Sequence, residues 1–317
     1  MGMNKKGFFT LLSVIILGYF LLSISIPTDY KEVDRMNVIK LRVTTMNNFL
    51  KSVERDIERS LYISGFRAII GANEYVVNNG RFLTNPQTAI DELMMQGTLF
   101  GNSSLLMENQ TMPFWLSKID NNAKDLGLSL NIVSSSIEVA QSSPFSIKVT
   151  GNFLINLTDT AKKAAGFQIQ KEISAEVRIE DFEDPLYVVK TNGKIRRTIA
   201  PTEFTSWGLA NLVVHYNNGT YKASTTGPSF LKRLAGSIAA DPNGIETLVD
   251  TNELISNGIT VQQDPPSSVD YLYWVNNRAD EICSISGITN LGNSFFKLDE
   301  DHAENVYNVE TQEYGCQ

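Results

Sequence analysis

The chain has 317 residues, 42% of them hydrophobic and 20% charged, with a formal net charge of -8. That balance is too apolar for a disordered chain, and the length allows one large core or two modest ones. The acidic excess argues against wrapping nucleic acid or coating an anionic membrane.

From Gly7 to Ile26 no charged residue occurs, and Pro27 ends the run. Such a stretch makes about 30 Å of helix, enough for a bilayer core, so a single transmembrane helix is expected over 8–26. Lys5 and Lys6 stand before it, while Asp29 and Glu32 accompany Lys31 behind it. The positive-inside bias then puts the N-terminus in the cytoplasm and the bulk of the chain outside the cell. Four N-x-[ST] triplets, at Asn102, Asn109, Asn156 and Asn218, agree with an exterior location and are possible glycosylation sites. A cleaved secretory signal ending near Ser23-Ile24-Ser25 is the competing reading. The apolar run is long for a signal core and leads directly into a further helix.

That further helix is expected over 27–80, starting at a cap from Thr28 or Asp29. Met36, Ile39, Val43, Met46, Leu50, Val53 and Ile57 recur by three and four, a heptad seam suited to packing on the chain's own domain, on neighbouring copies, or on both. Gly65 and Gly71 are expected to loosen its far end, and 78–86 to break it. Shorter helices are expected over 86–95 and 113–126. From Leu128 the period becomes two, predicting three strands in an antiparallel meander, with Gly151 marking a bulge. Its apolar face, from Leu130 to Ile179, wants the long helix as a cover. The acidic run Glu180, Asp181, Glu183, Asp184 lacks calcium-loop spacing and reads as a solvated turn. The whole is α+β: helices and an antiparallel sheet over 81–190, then a smaller mixed module over 191–317. In that last module 209–224 reads as a hairpin turning at Asn217-Asn218-Gly219, 228–238 as a short helix, 267–277 as a strand, and 295–309 as strand then helical turn.

No catalytic or cofactor signature stands out. There is no GxSxG, P-loop, HExxH or dinucleotide fingerprint, and no small-molecule substrate is indicated. His215 is placed in a strand at a hairpin end. His302, among Asp299, Glu300, Asp301 and Glu304, reads as an exposed helix start, with a membrane-tethered metalloenzyme as the remote alternative. Cys283 and Cys316 belong to no CxxC or Cys/His cluster, so no metal centre is expected; in an oxidising compartment the two can bridge.

Lys5-Lys6-Gly7 followed by Phe8-Phe9-Thr10-Leu11-Leu12 resembles the leader and cleavage point of type IV prepilins and prepilin-like proteins. The resemblance covers about the first thirty residues. It implies a leader over 1–7, cut between Gly7 and Phe8 by a prepilin-type peptidase, and a retained hydrophobic helix that assembles with copies of itself or other pilin-like subunits. Bacterial major pilins commonly carry a Glu shortly after the cut, where this chain has Leu12 and no nearby acid; archaeal pilin-like proteins often lack it. The implied role is a surface filament subunit serving adhesion or attachment, its length suiting a minor or specialised one. An uncleaved, membrane-anchored binding or sensor protein with a helical stalk is the alternative, and it needs a partner for inward signalling because only six residues precede Gly7.

Overall fold

The computed structural model describes residues 5–25, 27–261, 267–274, 282–286, 288, 296–309 and 314–316. Helix α1 spans Lys5–Ser25 and helix α2 Pro27–Asn79, the proline sitting where a helix needs no N–H. The side chains of Thr28 and Asp29, the expected caps, lie outside the described residues. At 53 residues, α2 is about 80 Å long. It runs unbroken through Gly65 and Gly71, so the expected loosening there is corrected. A Cβ on Gly65 would lie 3.0 Å from Val149 Cγ2, so the missing side chain is what lets the sheet approach, and packing outweighs weak helix propensity. Gly65→Leu is therefore expected to push helix from sheet and cost about 1–3 kcal/mol, read as a lowered thermal midpoint. The helix ends as expected: Gly80, at φ +63°, donates to the Val76 carbonyl.

Helix α3, Pro86–Gln96, begins with Asn85 accepting from the Thr88 N–H and ends at left-handed Gly97. The two-residue strands β1 (Thr98–Leu99) and β2 (Asn102–Ser103) pair with each other, and helix α4 spans Met112–Asp125. Strands β3 (Leu128–Ser143), β4 (Ser146–Asp159) and β5 (Gly166–Arg178) form the expected antiparallel meander, order β3-β4-β5. Burial along β4 alternates strictly, as a one-faced sheet requires. The bulge, however, is not at Gly151, which pairs regularly with Ile137 and Ile173; the register slips instead in β3, between Ser134 and Ser136 and again between Gln141 and Ser143. Gly151 leaves room for the Phe153 ring, whose Cε2 would meet an added Cβ at 2.5 Å.

One face of the sheet is covered by α2. Met46, Leu50, Val53, Ile57 and Leu61 share a buried core with Val149, Phe153, Ile155 and Val177. The same core runs past residue 190, taking in Ile199, Tyr221, Phe230, Leu234 and Ile245.

The remaining elements are helices α5 (Pro185–Lys190) and α6 (Leu209–Asn218), strand β6 (Lys222–Ala223), helix α7 (Phe230–Leu234), strand β7 (Ile245–Glu246), helices α8 (Thr251–Ser256) and α9 (Asp270–Tyr273), and strands β8 (Ile282–Ile285), β9 (Lys297–Asp299) and β10 (Tyr314–Cys316). Two expectations fail here. The hairpin at 209–224 is helix α6 followed by β6, which pairs with β7. Leu209, Leu212, Val213 and Tyr216 stand at i, i+3, i+4 and i+7, and Gly219, at φ +58°, is a helix C-cap rather than a hairpin turn. The strand at 267–277 is the short helix α9, and 275–277 lie outside the described residues. Its first residue, Asp270, is buried and bound to Arg233, which fixes a turn where alternation suggested a strand.

Candidate functional site

Every described side chain in α1 from residue 7 to 23, Gly18 excepted, is exposed, and the apolar ones point to all sides. A helix apolar all round is stable only inside a larger apolar body. Three of its hydroxyls are satisfied within the helix: Thr10 donates to the Gly7 carbonyl at 3.0 Å, Ser13 to Phe9 at 2.8 Å and Ser23 to Phe20 at 2.9 Å. These three hydroxyls are turned back onto the helix, as an apolar surrounding favours, while Tyr19 is exposed. Among the described residues no helix is long and apolar enough to cross a membrane. The described side chains of α1 stop at 7 and 23, so Lys5, Lys6 and the end of the apolar run lie outside them. Gly7 is exposed, and a Cβ there would meet nothing within 4 Å.

The heptad seam divides at Val43. Met36 and Ile39 are exposed, together with Val38 and Leu41, whereas Met46, Leu50, Val53 and Ile57 are buried on the sheet. Arg42 marks the division. Its Nη2 donates to the carbonyls of Leu126 (3.1 Å) and Gly127 (3.2 Å) and to Asp159 Oδ1 (2.9 Å). Asp159 also accepts from the N–H groups of Ala161, Lys162 and Ala164. The Arg42 hydrogen bond, with those amides, holds the Asp159 carboxyl well below the usual carboxylate range.

Asn102, Asn109 and Asn218 are exposed, on β2, in a left-handed turn residue and at the end of α6; Asn156 is half-buried within the central strand β4. Cys283 is buried and disulfide-bonded, and the pairing of β10 with β8 sets Cys316 opposite it, although the Cys316 side chain lies outside the described residues.

A second constellation lies deep in the C-terminal half. Arg233, fully buried, donates from Nη1 to Asp184 Oδ2 at 2.8 Å and to Asp270 Oδ2 at 2.6 Å, and from Nη2 to the Ile245 carbonyl. Tyr221 Oη donates to the same Asp184 oxygen at 2.7 Å. Asp184 is thus no part of a solvated turn: it caps α5 through the Leu186 N–H and is fully buried, which corrects that expectation. Burial raises the Asp270 carboxyl, opposed by the Arg233 charge.

His302 is likewise buried rather than an exposed helix start, because three polar groups enclose it. Its Nδ1 lies 2.7 Å from Asp299 Oδ1, and its Nε2 lies 3.2 Å from Tyr271 Oη and 3.4 Å from Glu246 Oε2. Tyr307 Oη donates to Glu246 at 3.0 Å and Ser267 Oγ to Asp299 at 2.9 Å. Burial disfavours the imidazolium, but hydrogen bonds to Asp299 and Glu246 and their charges overcome it and carry its pKa to about 10. His215 shows the opposite balance. It lies on α6, not in a strand, edge-on to Trp207 at 5.1 Å, and burial lowers its pKa to about 4. Among the described residues no group of three His, Cys, Asp or Glu side chains is arranged to hold a metal ion. His302 is only 3% exposed, so this constellation acts as an ionic core that ties β7, β9 and α9 together.

Sequence reasoning saw His302 beside Asp299 but missed the core, because Glu246 and Tyr271, which enclose the imidazole from its other side, lie far off in the chain. No protein-family model, curated protein or solved structure matches the chain.

Proposed function

We propose that the chain is a pilin-like surface subunit, cut between Gly7 and Phe8 and assembled through its N-terminal helix into a filament or other surface structure. One observation carries this reading: the described side chains at 7–23, Gly18 excepted, and at 35–41 are exposed, those of α1 overwhelmingly apolar, whereas the seam is buried on the chain's own sheet from Met46 onward. A bare apolar helix joined to a well-packed body needs a surrounding supplied from outside. The bilayer supplies it before assembly and neighbouring helices supply it afterward. In sequence the uncharged run reaches from Gly7 to Ile26, about the number of residues a bilayer span needs.

The alternative, an uncleaved anchored binding protein, draws on the same exposed stretch at 35–41 as a dimerising stalk. Mass spectrometry of the mature N-terminus in native cells separates the two. A chain beginning at Phe8 is expected; an intact Met1, or a start after Ser25, overturns the subunit reading.

A further inference from the structure

A groove of about 620 Å³ opens between α2 and the turn that follows β5. Its floor is apolar, with Phe66 and Phe182 edge to face at 5.7 Å and Tyr62 stacked on Phe66 at 6.1 Å. Ile70 and Val77 continue that floor along the helix. Asn73 is buried within it: Nδ2 donates to the Glu183 carbonyl at 3.0 Å, while Oδ1 accepts nothing among the described residues. On the rim Arg178 pairs with Glu180 and Arg196 with Glu183. Glu74 and Asp181 are exposed and have no ion-pair partner among the described residues. The groove therefore offers aromatic floor, two uncompensated negative charges and one acceptor lacking a donor.

A complementary surface exists on the same chain. Residues 35–41, RMNVIKL, are exposed at every position. They present Met36, Val38, Ile39 and Leu41 beside Arg35 and Lys40, two positive charges with no ion pair among the described residues. The chain cannot close these surfaces on each other. Both lie on the unbroken helix α2, their centres separated by about 48 Å at 1.5 Å per residue. We infer that residues 35–41 of one copy seat in the groove at 62–78 of a second copy, with Arg35 and Lys40 answering Glu74 and Asp181. This rests on the assembly part of the reading above. The two surfaces differ, so the contact is heterologous and repeats without closing; parallel copies then stand about 48 Å apart along the helix.

The test uses the full chain in whole native cells, so that copies assembled beyond the bilayer are included, with Ile39→Cys and Ile70→Cys carried on separate, co-expressed copies; the native Cys283 is already disulfide-bonded. Mild oxidation is expected to yield 39–70 dimers several-fold in excess of 39–39 or 70–70 dimers. Arg35→Glu with Lys40→Glu on the Ile39→Cys copy should reduce that product at least tenfold. So should Glu74→Lys with Asp181→Asn on the Ile70→Cys copy, asparagine being chosen because Asp181 has φ +66°. Combining both sets should restore the link, which a merely misfolded variant would not do. Dimers only through 39–39, or none in any pairing, overturn the inference. A Phe8 terminus with 39–39 links keeps the subunit reading and rejects the groove; an intact Met1 with 39–70 links does the reverse.

Discussion

Arg233→Met is expected to lower the stability of the folded chain by about 3–5 kcal/mol, the range for breaking a buried ion pair from one side. Arg233, Asp184 and Asp270 are all fully buried, and Arg233 Nη1 is shared between the two carboxylates. Removing the cation leaves two carboxylates facing each other without water, and also frees the Ile245 carbonyl. Urea unfolding checks this: with a slope near 3 kcal/mol/M, the midpoint should fall by about 1–1.7 M. A variant that removes all three charges, Asp184→Leu, Arg233→Met and Asp270→Leu, should recover much of the loss, because the penalty belongs to unpaired charge rather than to lost attraction. Equal loss in the single and triple variants would show that the core depends on the attraction itself.

Stability should pass through a maximum near pH 6.5, with each of the chain's two histidines responsible for one limb. His302 has its folded pKa raised from 6.5 to about 10, so its contribution is complete below 6.5 and is lost as pH rises toward 10. Between pH 6.5 and 9 that loss is on the order of 3 kcal/mol. His215 has its folded pKa lowered to about 4. Below 6.5 the unfolded chain takes up a proton that the folded chain refuses, so stability falls toward pH 4, again on the order of 3 kcal/mol. Glu246 and Asp299, both lowered, add to the acid limb only as pH drops past the ordinary carboxylate range. In chemical denaturation at a series of pH values, His302→Gln should flatten the alkaline limb and lower the maximum. His215→Phe should flatten the acid limb alone. A variant that leaves its limb unchanged removes the assignment.

The elements legible in the sequence were those whose period runs long enough to be unambiguous. The alternation of 128–178 marked the three-stranded sheet, and the three-four spacing from Met36 to Ile57 marked α2. Short elements were misread where one signal serves two structures. Asn217-Asn218-Gly219 suits a hairpin turn and a helix C-cap equally, and only the spacing of Leu209, Leu212, Val213 and Tyr216 discriminates. Gly151 looked like a bulge but makes room for Phe153, a contact no local pattern encodes. The exposed half of the helix seam was visible as a stripe, yet its division at Val43 depends on where the sheet ends. The ionic core was invisible for the same reason: Asp184, Arg233 and Asp270 meet only through the tertiary fold.

Arg42 has a mechanical meaning. It grips the Leu126–Gly127 turn and Asp159 just where α2 enters the body. In the proposed assembly, tension arriving along the exposed start of the helix would run parallel to the helix–sheet interface and load it in shear. The contacts from Met46 to Val76 then resist together, whereas a sideways pull would peel them one after another. Arg42 stands at the end where peeling would start, and its hydrogen bonds keep the pull aligned with the direction in which the body is strongest.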